Sequence, residues 1–186
     1  MAIEERELIN RCQKGNLKYF SEIYDLYVKK IYEFIYFKTH HKQTAEDLTS
    51  QAFLKSLENI GKYDFSKGKF SSWLYAVARN TVIDHYRTQK HNLNIDDAWD
   101  ISSDDDVELD IENREKIRKL KSHLKNLSSD QRDVVMLRVW NGMSYKEISD
   151  IMGKTDANCK MIFSRATEKL RKEQIFAIIL CLLLIN

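Results

Sequence analysis

No proline occurs anywhere in this chain of 186 residues, and glycine occurs only five times. Proline lacks an amide hydrogen and clashes with the preceding helical turn, and glycine is too flexible to favour a helix. A chain poor in both can therefore form long helices. Apolar residues also recur at spacings of three and four, and no sustained alternation typical of strands is found. The sequence therefore predicts an all-α fold.

The apolar pattern and the potential capping residues delimit the predicted helices. The clearest stripe carries Leu17, Phe20, Tyr24, Tyr27, Ile31, Phe34 and Ile35. We expect Gly15 to end a shorter helix before it, and Thr44 and Gly61 to begin and end the next one. Further helices are predicted near residues 70–87, 113–125, 130–141, 144–152 and 156–173.

The charged residues are distributed in three blocks. The net charge is +4 over residues 1–95, −9 over residues 96–112 and +7 over the remainder. Apolar residues are sparse in the acidic block, which we interpret as a linker between two small helical domains. The basic blocks suit a polyanion such as nucleic acid, although two solvated domains would carry similar charges. The predicted parts are a first domain at 1–87, an acidic linker at 88–112, a second domain at 113–174 and an apolar tail at 175–186.

The cysteines and the N-terminus indicate the compartment. Cys12, Cys159 and Cys181 are odd in number and scattered, which favours a reducing environment over a disulfide framework. The first residues are rich in charge and contain no apolar core, so they do not resemble a secretion signal. We therefore expect a cytoplasmic protein.

The spacing in residues 144–172 is typical of a helix-turn-helix. A short helix is followed by a turn at Gly153-Lys154, and Thr155 can cap the next helix. That second helix has a predicted buried stripe of Cys159, Ile162, Phe163, Ala166 and Leu170. Its predicted outward residues are Asp156, Lys160, Met161, Ser164 and Arg165. Such modules place the second helix in the major groove of DNA, although an ordinary three-helix bundle fits the spacing equally well.

The helix predicted at 70–87 combines aromatic and basic residues. Its apolar face is predicted to carry Trp73, Leu74, Val77, Ala78 and Thr81. Its other face is predicted to carry Tyr75, Arg79 and Tyr86, with Asn80 and Arg87 at the margin. Exposed rings and cations suit unpaired bases, which stack on the rings while the cations hold the backbone. The alternative is that these tyrosines simply cover a core.

Two stretches of sequence resemble a known family. The run Ala45–Lys55, followed by Phe70…Trp73-Leu74-Tyr75…Ala78-Arg79-Asn80…Ile83-Asp84, is similar to region 2 of extracytoplasmic-function (ECF) sigma factors. The run Leu127…Gln131-Arg132…Val134…Leu137-Arg138…Gly142–Ile148 is similar to their region 4. The resemblance covers residues 17–87 and 113–173 in the order found in the family. It implies a protein that binds core RNA polymerase and directs promoter recognition, DNA melting and transcription initiation.

The resemblance also implies roles for individual residues. Those expected to bind the polymerase, at the clamp helices of its largest subunit, are Asp47, Leu48, Gln51, Phe53 and Leu54. Those expected to bind the minus-ten element are Lys67, Lys69, Phe70, Trp73, Tyr75, Arg79, Asn80, Tyr86 and Arg87. Those expected to bind the minus-thirty-five element are Thr155, Asp156, Asn158, Lys160, Met161, Ser164 and Arg165.

The family pattern implies further partners and shows two departures. The flap of the polymerase and an anti-sigma factor are additional candidate partners. Family members commonly carry Gln-Glu where this chain has Ser50-Gln51, and an arginine where it has Ile162.

Two other functions are compatible with parts of the sequence. A stand-alone helix-turn-helix regulator would bind duplex DNA without polymerase, but it would need no single-strand platform at 70–87. A metal-dependent nuclease could use Asp104–Asp106, but catalytic carboxylates need a rigid surrounding, and these lie in the predicted linker. No HExxH or paired CxxC motif occurs. We therefore expect no catalytic residue, metal, cofactor or small-molecule substrate.

The tail at 175–185 consists of 11 uncharged apolar residues. As a helix it would span roughly 16 Å, about half of a hydrocarbon core, so membrane association is not expected. We expect it to pack within the protein or against a partner.

Overall fold

The computed structural model describes residues 4–89 and 127–172. These ranges belong to two compact units, which we call the N-terminal unit and the C-terminal unit. All regular elements in both ranges are helical, which confirms the predicted all-α fold. The predicted helix at 113–125, the acidic block at 96–112 and the apolar tail lie outside the described residues. No helix within these ranges is long and apolar enough to cross a membrane.

In the part of the N-terminal unit that the structure describes, residues 4–89, there are four α-helices. They are α1 (Glu5–Gln13), α2 (Phe20–Thr39), α3 (Lys42–Asn59) and α4 (Phe70–Gln89), with 3₁₀ turns at Leu17–Tyr19 and Ile60–Lys62. Two predicted boundaries shift. The helix expected from residue 17 starts with a 3₁₀ turn, and α4 continues beyond Arg87 into the start of the predicted linker.

The start of α3 also differs from the prediction, because His41 rather than Thr44 is its N-terminal cap. The His41 Nδ1 atom accepts a hydrogen bond from the Thr44 backbone N–H at 3.2 Å. The residue before it, His40, has a left-handed backbone with φ 51°, which ends α2 and reverses the chain within two residues. The helix α3 therefore follows α2 closely and packs against both α2 and α4.

Within residues 127–172, the C-terminal unit contains three α-helices. They are α5 (Ser129–Val135), which continues as a π-helical segment (Met136–Trp140), α6 (Tyr145–Met152) and α7 (Asp156–Lys172). Ser128 and Ser144 each form a capping box, with Gln131 and Glu147 as their reciprocal partners. The core of the unit includes Leu127, Val135, Ala166 and Leu170, with Val139, Trp140 and Phe163 packed against it.

Candidate functional site

The outer face of α3 carries part of the predicted polymerase-binding set. Asp47 and Gln51 are exposed, and Leu54 is 56% exposed although it is apolar. The prediction is wrong for Leu48 and Phe53 as direct contacts, because they are only 1% and 3% exposed. They lie on the face of α3 that packs into the core of the unit. The accessible part of the set is therefore one carboxylate, one amide and one leucine.

Neighbouring groups define the surroundings of this face. The Phe53 ring lies 4.7 Å from the ring of Tyr24 on α2, and Tyr24 is itself partly accessible at 39%. Lys55 and Asp84 form an ion pair of 3.6 Å between α3 and α4. Burial lowers the pKa of His85 on α4, and the Asp47 charge opposes that shift. The sequence pattern gave no sign of Tyr24 as a surface residue, because it falls on the apolar stripe of α2.

The α3–α4 loop, which we define as residues 60–69, presents the two predicted lysines. Lys67 and Lys69 are both exposed. Inside the loop, one oxygen of Asp64 accepts hydrogen bonds from the Ser66 N–H at 2.9 Å and the Ser66 hydroxyl at 2.8 Å. These bonds lower the pKa of Asp64. The Tyr63 hydroxyl donates to the Gly68 carbonyl at 2.9 Å, where glycine permits φ 146°. The loop therefore has a defined shape with its lysines outward.

Phe70 does not belong to the accessible surface, so its prediction as a DNA contact is wrong. It is 1% exposed, and its ring lies 5.2 Å from Tyr63 and 5.3 Å from Trp73. Trp73, which was predicted both for the apolar face of the helix and for the DNA-binding set, is half-buried. Tyr63, Phe70 and Trp73 thus form an aromatic cluster beneath the loop, and Trp73 is its most accessible member.

Tyr75 is the second correction in α4. It was expected to be exposed beside Arg79 and Tyr86, but it is 2% exposed and its ring lies 5.2 Å from that of Phe34 on α2. The cause is that α4 packs against both α2 and α3, so its buried arc is wider than one apolar stripe. For Tyr75, the alternative that the ring covers a core is the correct one.

The remaining α4 residues of the predicted set are accessible to different degrees. Asn80 and Arg87 are exposed, and Arg79 and Tyr86 are half-buried. Trp73, Asn80 and Arg87 follow one another at intervals of seven, so they share one face of the helix. The accessible face of α4 is therefore centred on residues that the helical spacing had assigned to the margin of the outward face or to the apolar face.

The helix-turn-helix geometry is present in the C-terminal unit. Gly153 ends α6 with φ 63°, and the Thr155 hydroxyl accepts the Asn158 N–H at 3.2 Å, as expected for a cap. The Ser149 hydroxyl donates to Asp156 at 2.7 Å and ties α6 to the start of α7. An ion pair of 3.0 Å between Lys154 and Asp130 ties the turn to α5.

The two faces of α7 are arranged as predicted. Cys159, Ala166 and Leu170 are buried, Ile162 and Phe163 are half-buried, and burial raises the pKa of the Cys159 thiol. The predicted outward residues are all exposed; they are Asp156, Lys160, Met161, Ser164 and Arg165. Of the two other residues of the predicted set, Thr155 is exposed and Asn158 is half-buried. Their contacts with DNA stay a prediction.

A cluster around Tyr145 was not found from the sequence. The Arg138 guanidinium lies 4.9 Å from the centre of the Tyr145 ring and donates to the Met143 carbonyl at 2.7 Å. The ammonium group of Lys160 lies 5.8 Å from the same ring. The cluster joins the π-helical segment, α6 and α7, and residues so far apart in sequence leave no periodic signal. It places two cations beside the exposed face of α7.

Metal binding has no support among the residues that the structure describes. No group of three or more histidine, cysteine or acidic side chains in these ranges is arranged to hold a metal ion.

Two family models match the chain. Sigma-70 region 2 matches residues 23–92, and Sigma-70 region 4 matches residues 117–170.

Characterised relatives match over most of the chain. It is 33% identical over 173 residues to the ECF RNA polymerase sigma factor BldN of Streptomyces coelicolor, and the match covers 89% of this chain and 64% of the relative. It is also 33% identical over 151 residues to the ECF RNA polymerase sigma factor SigM of Bacillus subtilis, covering 81% of this chain and 91% of the relative.

Solved structures share the fold at lower identity. CnrH, in complex with the cytosolic domain of CnrY, gives a TM-score of 0.72 at 18% identity and covers 91% of this chain and 96% of that one. The sigma factor RpoE of Bartonella quintana, in complex with the anti-sigma factor NepR, gives 0.67 at 23% identity and covers 82% of this chain and 94% of that one.

Proposed function

The chain belongs to the family of ECF RNA polymerase sigma factors, and from this membership we propose how its two units divide the work of starting transcription. A sigma factor binds core RNA polymerase and promoter DNA, and these are the partners of this chain. The observation that carries the proposal is the occurrence of both sigma-70 regions in family order, each on a helical unit. The chain directs an enzyme and has no reaction of its own, and it acts in the cytoplasm with the polymerase.

The N-terminal unit binds the polymerase through the outer face of α3. Asp47 and Gln51 supply polar contacts, and Leu54 supplies an apolar one. An apolar side chain that is 56% exposed contributes most when a partner covers it, because its burial removes apolar surface from water. Leu48 and Phe53 act indirectly, by fixing α3 on α2.

The same unit binds the minus-ten element as a single strand. The α3–α4 loop offers Lys67 and Lys69, and the accessible face of α4 offers Trp73, Asn80 and Arg87. A ring beside cations suits a strand whose bases are unpaired. Arg79 and Tyr86 flank this face, whereas Phe70 and Tyr75 support it from the core.

The C-terminal unit binds the minus-thirty-five element as a duplex. Its helix α7 presents Lys160, Ser164 and Arg165 outward, and these are side chains that contact phosphates and base edges in major grooves. The ties of Asp156 to Ser149 and of Lys154 to Asp130 hold α7 at a fixed angle to α6 and α5. A fixed angle favours binding, because the module is ordered before it meets DNA.

An anti-sigma factor is the proposed regulator. The structure of RpoE, which shares the fold, is a complex with the anti-sigma factor NepR. A regulator of this kind would cover the accessible face of α3 and compete with the polymerase for it.

A stand-alone helix-turn-helix regulator is not favoured. Such a protein would need only the C-terminal unit, whereas the region 2 match occupies residues 23–92 and gives the N-terminal unit a role of its own.

The test is reconstitution of the full chain with core polymerase, followed by mapping of the transcripts made from a genomic library. We expect initiation at a defined set of sites that core polymerase alone does not use. In parallel, Asp47→Arg should abolish co-purification with the polymerase at unchanged helicity. Asp25→Arg, the same change at an exposed site on α2, should have no effect. Undiminished co-purification of the Asp47 variant would refute the docking of α3.

A further inference from the structure

The N-terminal helix α1 lies against the α3–α4 loop. The Gln13 Nε2 atom donates two hydrogen bonds, to the Ile60 carbonyl at 3.0 Å and to the Tyr63 carbonyl at 2.7 Å. These carbonyls are about 50 residues away in sequence and lie at the start of the loop. One side chain of α1 therefore fixes two successive points of the loop backbone.

A second side chain of α1 holds the middle of the loop. The Arg6 guanidinium lies 5.0 Å from the centre of the Phe65 ring, a cation–π arrangement. Arg6 and Gln13 are seven residues apart, so they share one face of α1, and this face is turned to the loop. The Phe65 ring in turn contacts the Tyr63 ring at 4.9 Å.

A third contact ties α1 to the helix beneath the loop. The Tyr27 hydroxyl of α2 donates to the Glu5 carboxylate, and the Tyr27 ring lies 5.9 Å from that of Phe70. Burial, with the Glu5 hydrogen bond, raises the pKa of Tyr27 far above its ordinary value, so the hydroxyl stays protonated as a donor. The loop is thus held by α1 on one side and by the aromatic cluster on another, with Lys67 and Lys69 left exposed.

We propose that α1 sets the shape in which the α3–α4 loop reads the minus-ten element, with Gln13 as the positioning residue. This rests on the proposed function of the loop. The helix lies before the region 2 match, which begins at residue 23. A loop ordered in advance loses less conformational freedom on binding and presents its groups at fixed distances. We call the contacts of Gln13 and Arg6 with the loop the α1 clamp. Without the α1 clamp, Lys67 and Lys69 would still attract the strand, but the loop would discriminate less between bases.

The first arm of the test needs neither DNA nor polymerase. The full chain is digested with trypsin, and cleavage after Lys67 and Lys69 is timed by mass spectrometry. Gln13→Glu keeps the size of the side chain but places a carboxylate against two carbonyls, so cleavage in the loop should accelerate by about tenfold. Gln13→Lys keeps a donor and should restore slow cleavage. Gln43→Glu, at an exposed site of α3, is the matched control and should change nothing.

Cleavage after Lys55, inside α3, serves as the internal reference for unfolding. If Gln13→Glu accelerates cleavage equally at Lys55 and in the loop, then Gln13 only stabilises the unit and the positioning role is refuted. Unchanged cleavage in the loop would refute the α1 clamp itself.

The second arm uses holoenzyme formed from the full chain and core polymerase. It selects strands from a random pool of single-stranded DNA, and the base preference at each position is read by sequencing. Gln13→Glu should lower the preference about tenfold at one or two adjacent positions and leave the others intact. The inference would be overturned if the variant keeps the base preference of the wild type, or if its preference falls equally at all positions. If wild-type holoenzyme shows no base preference at any position, the proposed function of the N-terminal unit is refuted. The trypsin experiment would still test whether the α1 clamp holds the loop.

Discussion

Truncation of Tyr75 tests whether this tyrosine serves folding or DNA binding. The side chain is 2% exposed and its ring packs 5.2 Å from that of Phe34. Removal of a large buried aromatic ring commonly costs about 3–5 kcal/mol, from lost burial and from the cavity left behind. A small domain has only about 5–15 kcal/mol in total. Tyr75→Ala should therefore leave the N-terminal unit marginally stable.

The contrasting site is Tyr86, which is half-buried near the end of α4. If Tyr86 stacks on a base, Tyr86→Ala should weaken binding of single-stranded minus-ten DNA by holoenzyme by about 1–3 kcal/mol. Its effect on folding should be smaller than that of Tyr75→Ala, because less of the side chain is buried. Comparing Tyr75→Ala with Tyr86→Ala therefore distinguishes loss of folding from loss of a contact with DNA.

Hydrogen exchange measured by mass spectrometry on the full chain is the appropriate assay, because it resolves the two units. In Tyr75→Ala, amides of α2 should exchange at least about a hundredfold faster, which corresponds to about 3 kcal/mol. Amides of α6 should be unaffected and serve as the control. If α2 keeps its protection while binding to single-stranded DNA falls, Tyr75 acts as a DNA contact and the argument from burial is wrong.

Three further predictions concern other positions. Lys160→Ala should weaken duplex binding about equally for all sequences and lower its salt slope by about one. Arg165→Ala should cost about 1–3 kcal/mol of binding free energy and relax the base preference at one position. Equal behaviour of the two variants in a fluorescence titration would contradict this division. Ser144→Ala removes the capping box of α6 and should lower stability by about 0.5–2 kcal/mol in a denaturant titration, while an unchanged midpoint would deny the cap a role. Because burial lowers the pKa of His85, folding favours its neutral form, so stability is complete above the ordinary pKa of about 6.5 and falls as the pH drops below it. Thermal melts between about pH 5 and 7 should show this fall reduced in His85→Asn, and an identical fall in both proteins would exclude His85 as its source.

The sequence was sufficient to predict the two faces of α7. Its outward positions carry Asp156, Lys160 and Arg165, which favour the solvent-facing side because burying a charge is costly. Its inner positions carry small or purely apolar groups. The period of the helix alone then separates the faces. The cap at Thr155 was also predicted correctly, because its side chain bonds to a backbone group only three residues away.

The faces of α4 were harder to predict because tyrosine and tryptophan suit either environment. Tyr75 was placed outside because helical spacing puts it on the same side as Arg79 and Tyr86, yet its ring packs against Phe34 of α2. Such contacts between distant segments leave no periodic mark in the sequence. For α3, family resemblance indicated a binding helix but did not distinguish Leu48 and Phe53, which hold it in place, from the residues that face outward.

The arrangement of α7 has a consequence for evolution. The helix packs on the rest of the unit through three buried residues, Cys159, Ala166 and Leu170. Met161, Ser164 and Arg165 are exposed on its other side. Substitutions at exposed positions of this kind usually change stability by less than about 0.5 kcal/mol. Mutations there can therefore alter the preferred upstream DNA sequence at little cost to folding. After gene duplication, two copies of such a protein could diverge toward separate sets of genes by changing a few outward residues of one helix.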